Sequence, residues 1–254
     1  MNIKPNFKWA HNAGFTLIEL AISIFVITLL LGAILVPLAT QVEQRQVSET
    51  QKSLDDAKEA LIGFAVANSY LPCPDTTGDG VSDPATPGVC PSAEGFFPWV
   101  TLNTGRQDAW GNHLRYRVSP EFTNVPSNPC TASDGRIGLC KTGNITVSTR
   151  DSVKNIATLA GSVPVVILSH GKNGYGATSS DGAVRPVPPA INVDETLNAD
   201  PPGTTFLSRT PSASGTACSD APPTATPYCE FDDIAVWLSS YALFSRMVAA
   251  GKLP

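Results

Sequence analysis

Gly14-Phe15-Thr16-Leu17-Ile18-Glu19-Leu20 opens an apolar run that continues to Ala39. Residues 20–38 pass nineteen positions without a charge, and only Ser23 and Thr28 among them are polar. As a helix rising about 1.5 Å per residue, the run covers about 28 Å, close to the ~30 Å hydrocarbon depth of a bilayer. A single carboxylate, Glu19, stands at its start. An ionisable residue in such a helix costs a few kcal/mol, which marks it as functional and calls for a partner. Gly32 and Pro37 are expected to loosen or bend the helix.

On the N-terminal side, residues 1–14 carry Lys4, Lys8 and His11 and no acid. Basic residues before an apolar span keep that end in the cytoplasm, so the rest of the chain is expected outside it. On the C-terminal side the chain turns polar at Thr40 but keeps a helical pattern. Val47, Leu54 and Leu61 recur every seven residues with Ala57 and Phe64 between them, while Glu49, Lys52, Asp55, Asp56, Lys58 and Glu59 take the other faces. The spacing predicts one helix over residues 15–67, ended by Asn68 and the Leu71-Pro72 break.

Beyond that helix roughly 185 residues remain, enough for one core. Most of the 20 glycines and 22 prolines lie after Tyr70, which predicts short strands and many loops. The net charge of −5 excludes broad electrostatic attraction to nucleic acid. Six cysteines, Cys73, Cys90, Cys130, Cys140, Cys218 and Cys229, in a chain crossing a membrane point to disulfides in an oxidising compartment. Of the fifteen possible pairings, pairing of sequence neighbours (73–90, 130–140, 218–229) closes three short loops and is the favoured expectation. Zinc is disfavoured, because no cysteine pair has ligand spacing and the chain holds three histidines.

In chain order, Asp75-Thr-Thr-Gly-Asp79-Gly80-Val-Ser-Asp83 partly matches a calcium loop, but Thr77 replaces a ligand and Thr86 stands where a Glu belongs; a closed turn is the better reading. Phe96, Phe97 and Trp99 form an apolar cluster. Strands are expected at 114–118, 144–149 and 163–168, with Pro164 at a strand start or edge, and a strand or helix start at 234–238. Residues 177–227, rich in Pro, Ala, Thr, Ser and Gly, read as a long irregular insertion. Residues 241–251 read as a helix packed through Tyr241, Phe244 and Val248, with Gly251 as its stop. No enzyme constellation emerges. Lys172 follows the first glycine of its loop, which breaks the phosphate-loop order. Ser169 and His170 are strand neighbours that point to opposite faces.

The Gly-Phe-Thr-Leu-Ile-Glu-Leu motif after a short basic leader resembles the cleavage and methylation site of type IV prepilins and type II secretion pseudopilins. Asp108-Ala-Trp110-Gly111-Asn112 followed by Tyr116, and the Ser169-x-Gly171-x-x-Gly174 loop, resemble further pseudopilin motifs. The resemblance implies an α+β fold, with a long protruding N-terminal helix on an antiparallel β-sheet and disulfide-stapled loops. It implies a leader at 1–14, an assembly and transmembrane half of the helix at 15–39, an amphipathic half at 40–68 and a periplasmic globular domain at 69–254. Prepilin peptidase would cut between Gly14 and Phe15 and N-methylate Phe15, and Glu19 would pair with the new amino group of a neighbouring Phe15. The implied protein is a non-enzymatic subunit of a type IV pilus or secretion pseudopilus in the bacterial inner membrane. Its partners would be other pilin subunits and the inner-membrane assembly platform, with no nucleic acid. A minor pilin acting as a tip binding module is the alternative. The resemblance also implies calcium held by Asp200, Asp232 and Asp233, with Asn198 a less secure ligand.

Overall fold

The computed structural model describes residues 14–84, 89–123, 137–199, 203–213, 217–222 and 225–253, and of residues 33–38 the backbone alone. The expected leader, apart from Gly14, lies outside the described residues, as do Thr86, Cys130 and Asp200. The chain forms two compact units, Met1–Arg45 and Gln46–Pro254, divided within the first helix.

That helix, α1, spans Leu17–Asn68, close to the predicted bounds. In the first unit every described side chain from residue 14 to 32 is exposed. Among the described residues no helix is long and apolar enough to cross a membrane. The predicted apolar run continues over 33–38, whose side chains lie outside the description.

In the second unit α1 buries Thr50, Leu54, Ala57, Leu61, Ile62 and Ala65, a stripe at three- and four-residue spacing. The predicted stripe began at Val47, which is 40 % exposed. Thr50 takes the first buried place instead, because its hydroxyl accepts the Ala109 N–H at 3.1 Å. Burying each leucine contributes about 1.5–3 kcal/mol. The helix ends where Asn68 Nδ2 donates to the Phe64 carbonyl (2.9 Å) and Ser69 turns to φ 67°.

The remaining elements are β1 (Glu94–Phe96), α2 (Trp99–Leu102), β2 (Arg115–Val118), β3 (Ile145–Arg150), β4 (Ile156–Val163), β5 (Val165–Ser169), α3 (Val193–Ala199), β6 (Thr205–Leu207), β7 (Ile234–Leu238) and α4 (Ser240–Ala249). One sheet is antiparallel throughout, in the order β1-β2-β5-β7. The other runs β4-β3-β6, antiparallel between β4 and β3 and parallel between β3 and β6. A parallel partner needs a long crossover, and the chain between Arg150 and Thr205 supplies it.

β5 shows why its sequence is an unbroken apolar run. Successive strand residues point to opposite faces. Val165 and Ile167 join the core with Leu54, Leu61, Tyr116 and Leu243, while Val166 joins a second core with Ile145, Val147 and Phe206. Pro164 falls between β4 and β5, where only its carbonyl is needed, accepting the Ser119 N–H at 2.7 Å.

Helix α4 corrects the predicted stripe. Leu243 and Met247 are fully buried, while Tyr241 is 85 % exposed and Val248 44 %. Phe244 packs partly, stacking on Phe122. The segment carries apolar residues on adjacent rows, and the core decides which row faces inward. The insertion at 177–227 also differs from expectation, because it contains α3 and β6. Buried ion pairs rather than apolar periodicity hold it. Asp194 meets Arg150 at 2.6 Å and Arg209 at 2.7 Å, and Arg209 meets Asp220 at 3.2 Å. Disulfides Cys73–Cys90 and Cys218–Cys229 form as favoured, and no described cysteine is free. Asp75 accepts the Thr77, Gly78 and Gly80 N–H groups at 2.7–2.9 Å, the closed-turn arrangement.

Candidate functional site

Two groups of residues bear on function, one in each unit. At the start of α1, Thr16 precedes the first helical residue and its Oγ1 accepts the Glu19 N–H at 3.3 Å. The same hydroxyl lies 3.5 Å from Glu19 Oε2. This is a threonine cap with a glutamate at the third helical position, where a negative charge also suits the helix dipole. The two polar residues of the apolar run hide their hydroxyls in the helix itself. Ser23 donates to the Glu19 carbonyl at 2.7 Å, and Thr28 lies 3.0 Å from that of Ile24. Such back-bonding leaves Glu19 as the charged group of an otherwise apolar surface. Phe15 is 83 % exposed, so its ring is uncovered by the chain's own residues.

In the second unit Glu195, on α3, meets Asp232 and Asp233, which immediately precede β7. One oxygen from each lies within 4.8 Å of the others. Adjacent side chains on α3 divide the labour: Asp194 is held by the two arginines, and Glu195 turns to the cluster. Glu195 Oε1 accepts from Asn173 Nδ2 (2.9 Å) and from the Asp232 N–H (3.1 Å), and Oε2 accepts from Asn192 Nδ2 (2.8 Å). Asp232 Oδ2 accepts the Asn173 N–H at 2.8 Å. The loop after β5 comes this close because Gly171 adopts φ 59° and a Cβ there would strike the Asp232 carbonyl and carboxylate.

Burial, reinforced by the charge of Asp233, pushes the Glu195 carboxyl up to about 8. Burial likewise pushes Asp232 up to about 6. Asp232 Oδ1 and Asp233 Oδ1 are buried with no hydrogen-bond partner among the described residues. Asp233 Oδ1 lies 3.7 Å from His170 Nδ1. Two such oxygens, neither taking a hydrogen bond, beside a third carboxylate and with no sulfur donor, are of the kind a hard divalent ion such as calcium takes.

Of the predicted ligands, Asp232 and Asp233 come together here, and Asp200 lies outside the described residues. Asn198 has a different task. Its Nδ2 donates to Asp233 Oδ2 (2.8 Å) and to the Leu207 carbonyl (3.0 Å), and its Oδ1 accepts the Leu207 N–H (2.8 Å), so it positions Asp233 against β6. The place of Glu195 in this cluster was not expected, because a lone glutamate in a Pro- and Thr-rich stretch carries no spacing signal. The Asp108 motif is scaffold. Asp108 Oδ1 accepts from Trp110 and Asn112 N–H groups at 3.0 and 2.9 Å, and Oδ2 accepts from Ser169 Oγ at 2.7 Å. Ser169 therefore serves the turn and not His170.

Residues 9–35 match the family model of the Prokaryotic N-terminal methylation motif. No curated protein and no solved structure matches the chain. A capped N-terminal helix and a mixed α/β unit holding two disulfides among the described residues accompany that motif, and the chain carries the N-terminal signature of type IV pilins and pseudopilins on a pilin-like α+β fold.

Proposed function

We propose that this chain is a structural subunit, cut between Gly14 and Phe15, N-methylated on Phe15 and assembled with like subunits into a type IV pilus or a type II secretion pseudopilus. The methylation signature at 9–35 carries the reading, and it implies prepilin peptidase and other pilin subunits as partners. The apolar helix face is solvated by lipid before assembly and by neighbouring helices afterwards. Glu19 then pairs with the amino group of Phe15 on the next subunit, since each charge is far less costly in lipid when matched. The subunit is anchored in the inner membrane with its larger unit in the periplasm, where disulfides persist. No chemistry is assigned to it. Mass spectrometry tests the reading: the mature chain should begin at a methylated Phe15, and Gly14→Val should stay at the precursor mass. A mature protein that retains residues 1–14 would overturn it.

Calcium is the second part of the proposal, held by Glu195, Asp232 and Asp233. The two buried oxygens of Asp232 and Asp233 that take no hydrogen bond among the described residues support it. Bound calcium would tie α3 and the start of β7 together. At a hundred times its dissociation constant it would add about 2.7 kcal/mol to stability. A chelator should therefore lower the melting temperature of the purified protein. An unchanged midpoint would remove the site.

A further inference from the structure

Residues 183–191 form an apolar stretch that the core of the second unit leaves outside. Val184 is 80 % exposed and Val187 77 %, Ile191 is exposed as well, and Pro188 is buried as an anchor. Pro186, Pro188 and Pro189 fix their own φ and restrict the residue before each. The backbone from Arg185 to Pro189 therefore has little freedom left to lose when a partner covers it. Its stem is tied down too. The Arg185 N–H donates to the Ala177 carbonyl at 2.9 Å, and the Gly176 N–H to that of Pro186 at 2.8 Å. Such a segment has the properties of a preorganised ligand for an apolar groove.

A groove of that character lies elsewhere on the same unit. It is shallow, about 380 Å³ in volume, and runs between α1 and α4 over Ile62, Gly63, Val66, Ala249 and Ala250, with Glu59 and Arg246 at its rim. The glycine and the alanines keep its floor low, and a Cβ on Gly63 would meet nothing within 4 Å. Segment and groove are separated within one chain. The Ser180 N–H donates to the Gly111 carbonyl (2.9 Å), and Arg185 Nε donates to Asn112 Oδ1 (3.2 Å). The Ala109 N–H in the same turn donates to Thr50 Oγ1 (3.1 Å), so the stem is tied to α1 at Thr50. From Thr50 to Gly63 the helix advances about 20 Å.

Two features single out a second copy of this chain as the occupant. Segment and groove sit at different heights on one helix, so a copy shifted along that axis brings its segment to its neighbour's groove. The contact then repeats from copy to copy as a heterologous interface. The charges agree. Arg185 is the ionised residue of the stretch, while the α1 side of the groove carries exposed Glu59 and, one turn earlier, exposed Asp56. Asp181, just before the stretch, is turned back onto the Ser179 hydroxyl and the Ala183 N–H. So short a segment falls below the area of about 1,200 Å² that stable pairs bury. The contact is therefore weak between free subunits and gains from the high effective concentration of anchored neighbours.

We propose that residues 184–191 of one copy dock in the α1–α4 groove of the next. The proposal rests on the assembly reading, in which anchored copies all point the same way, and names one contact within it. To test it, full-length Val187→Cys and Ala249→Cys proteins are mixed at high density in phosphatidylcholine vesicles and treated with a short bismaleimide. No described native cysteine is free to react. The mixture should yield a dimer in which mass spectrometry finds the two introduced thiols joined. Its yield should stand well above that of Val81→Cys mixed with Ala249→Cys, since Val81 is an exposed residue outside both surfaces. Adding Gly63→Leu to the Ala249→Cys partner fills the groove with a better helix former. That change should lower the yield about tenfold without lowering the melting temperature. A yield no higher than that of the Val81 pair, or one indifferent to Gly63→Leu in the folded variant, would overturn the contact. Electron microscopy and the mature mass read assembly separately. Cross-linking without processing or filaments supports the contact and sinks the assembly reading, whereas filaments without the cross-link sink the contact alone.

Discussion

Glu19 serves two requirements at once. Its N–H is capped by Thr16, and its carboxylate sits in the first turn of α1, where the helix dipole favours it. Loss of that local role costs under about 1 kcal/mol, so it cannot account for a strong phenotype. Glu19→Val should therefore insert and be processed normally yet assemble poorly, read by electron microscopy and by the sheared-filament fraction. Abundant normal filaments from this variant would refute the pairing with Phe15. In the acidic cluster, Asp233→Asn keeps an oxygen to accept from Asn198 and removes the charge facing Glu195 and Asp232. The expected outcome is a folded protein whose melting temperature no longer responds to calcium or to chelator.

Elements differ in how far their pattern specifies their packing. In α1 the positions Leu54, Ala57 and Leu61 fall on one stripe, and those three are buried as predicted. In α4 the sequence offers rows of similar apolarity, and Leu243 and Met247 pack where Tyr241 and Val248 were expected. The two registers are separable by substitution. Met247→Ala should cost about 2–5 kcal/mol in denaturant unfolding, whereas Val248→Ala should stay within about 0.5 kcal/mol. Equal effects would restore the predicted stripe. The strands were legible where residues alternate or run apolar, as in β3 and β5. α3 and β6 were not, because Arg150, Asp194, Arg209 and Asp220 stabilise them through pairs that no local pattern reveals.

At the scale of the molecule, the insertion between β5 and β7 is held to β3 by those buried pairs and closed on itself by Cys218–Cys229. Lys154 adds to this, donating to the Ser219 and Thr226 carbonyls and lying over the Tyr228 ring at 4.5 Å. Replacing Cys218 and Cys229 together by serine should lower stability by about 2–4 kcal/mol. It should also weaken the calcium response, since the same insertion carries Glu195; an unaltered response would separate the two features. What the sequence determined by itself is the N-terminal helix with its motif, because cap, carboxylate and apolar run act over a few contiguous residues. Disulfides between neighbours are local in the same sense. Only the tertiary structure decided which residues form the acidic cluster. Glu195 and Asp232 stand 37 positions apart, and they meet because the Gly171 turn and the Arg–Asp pairs bring α3 to the start of β7, a placement set by packing and not by spacing.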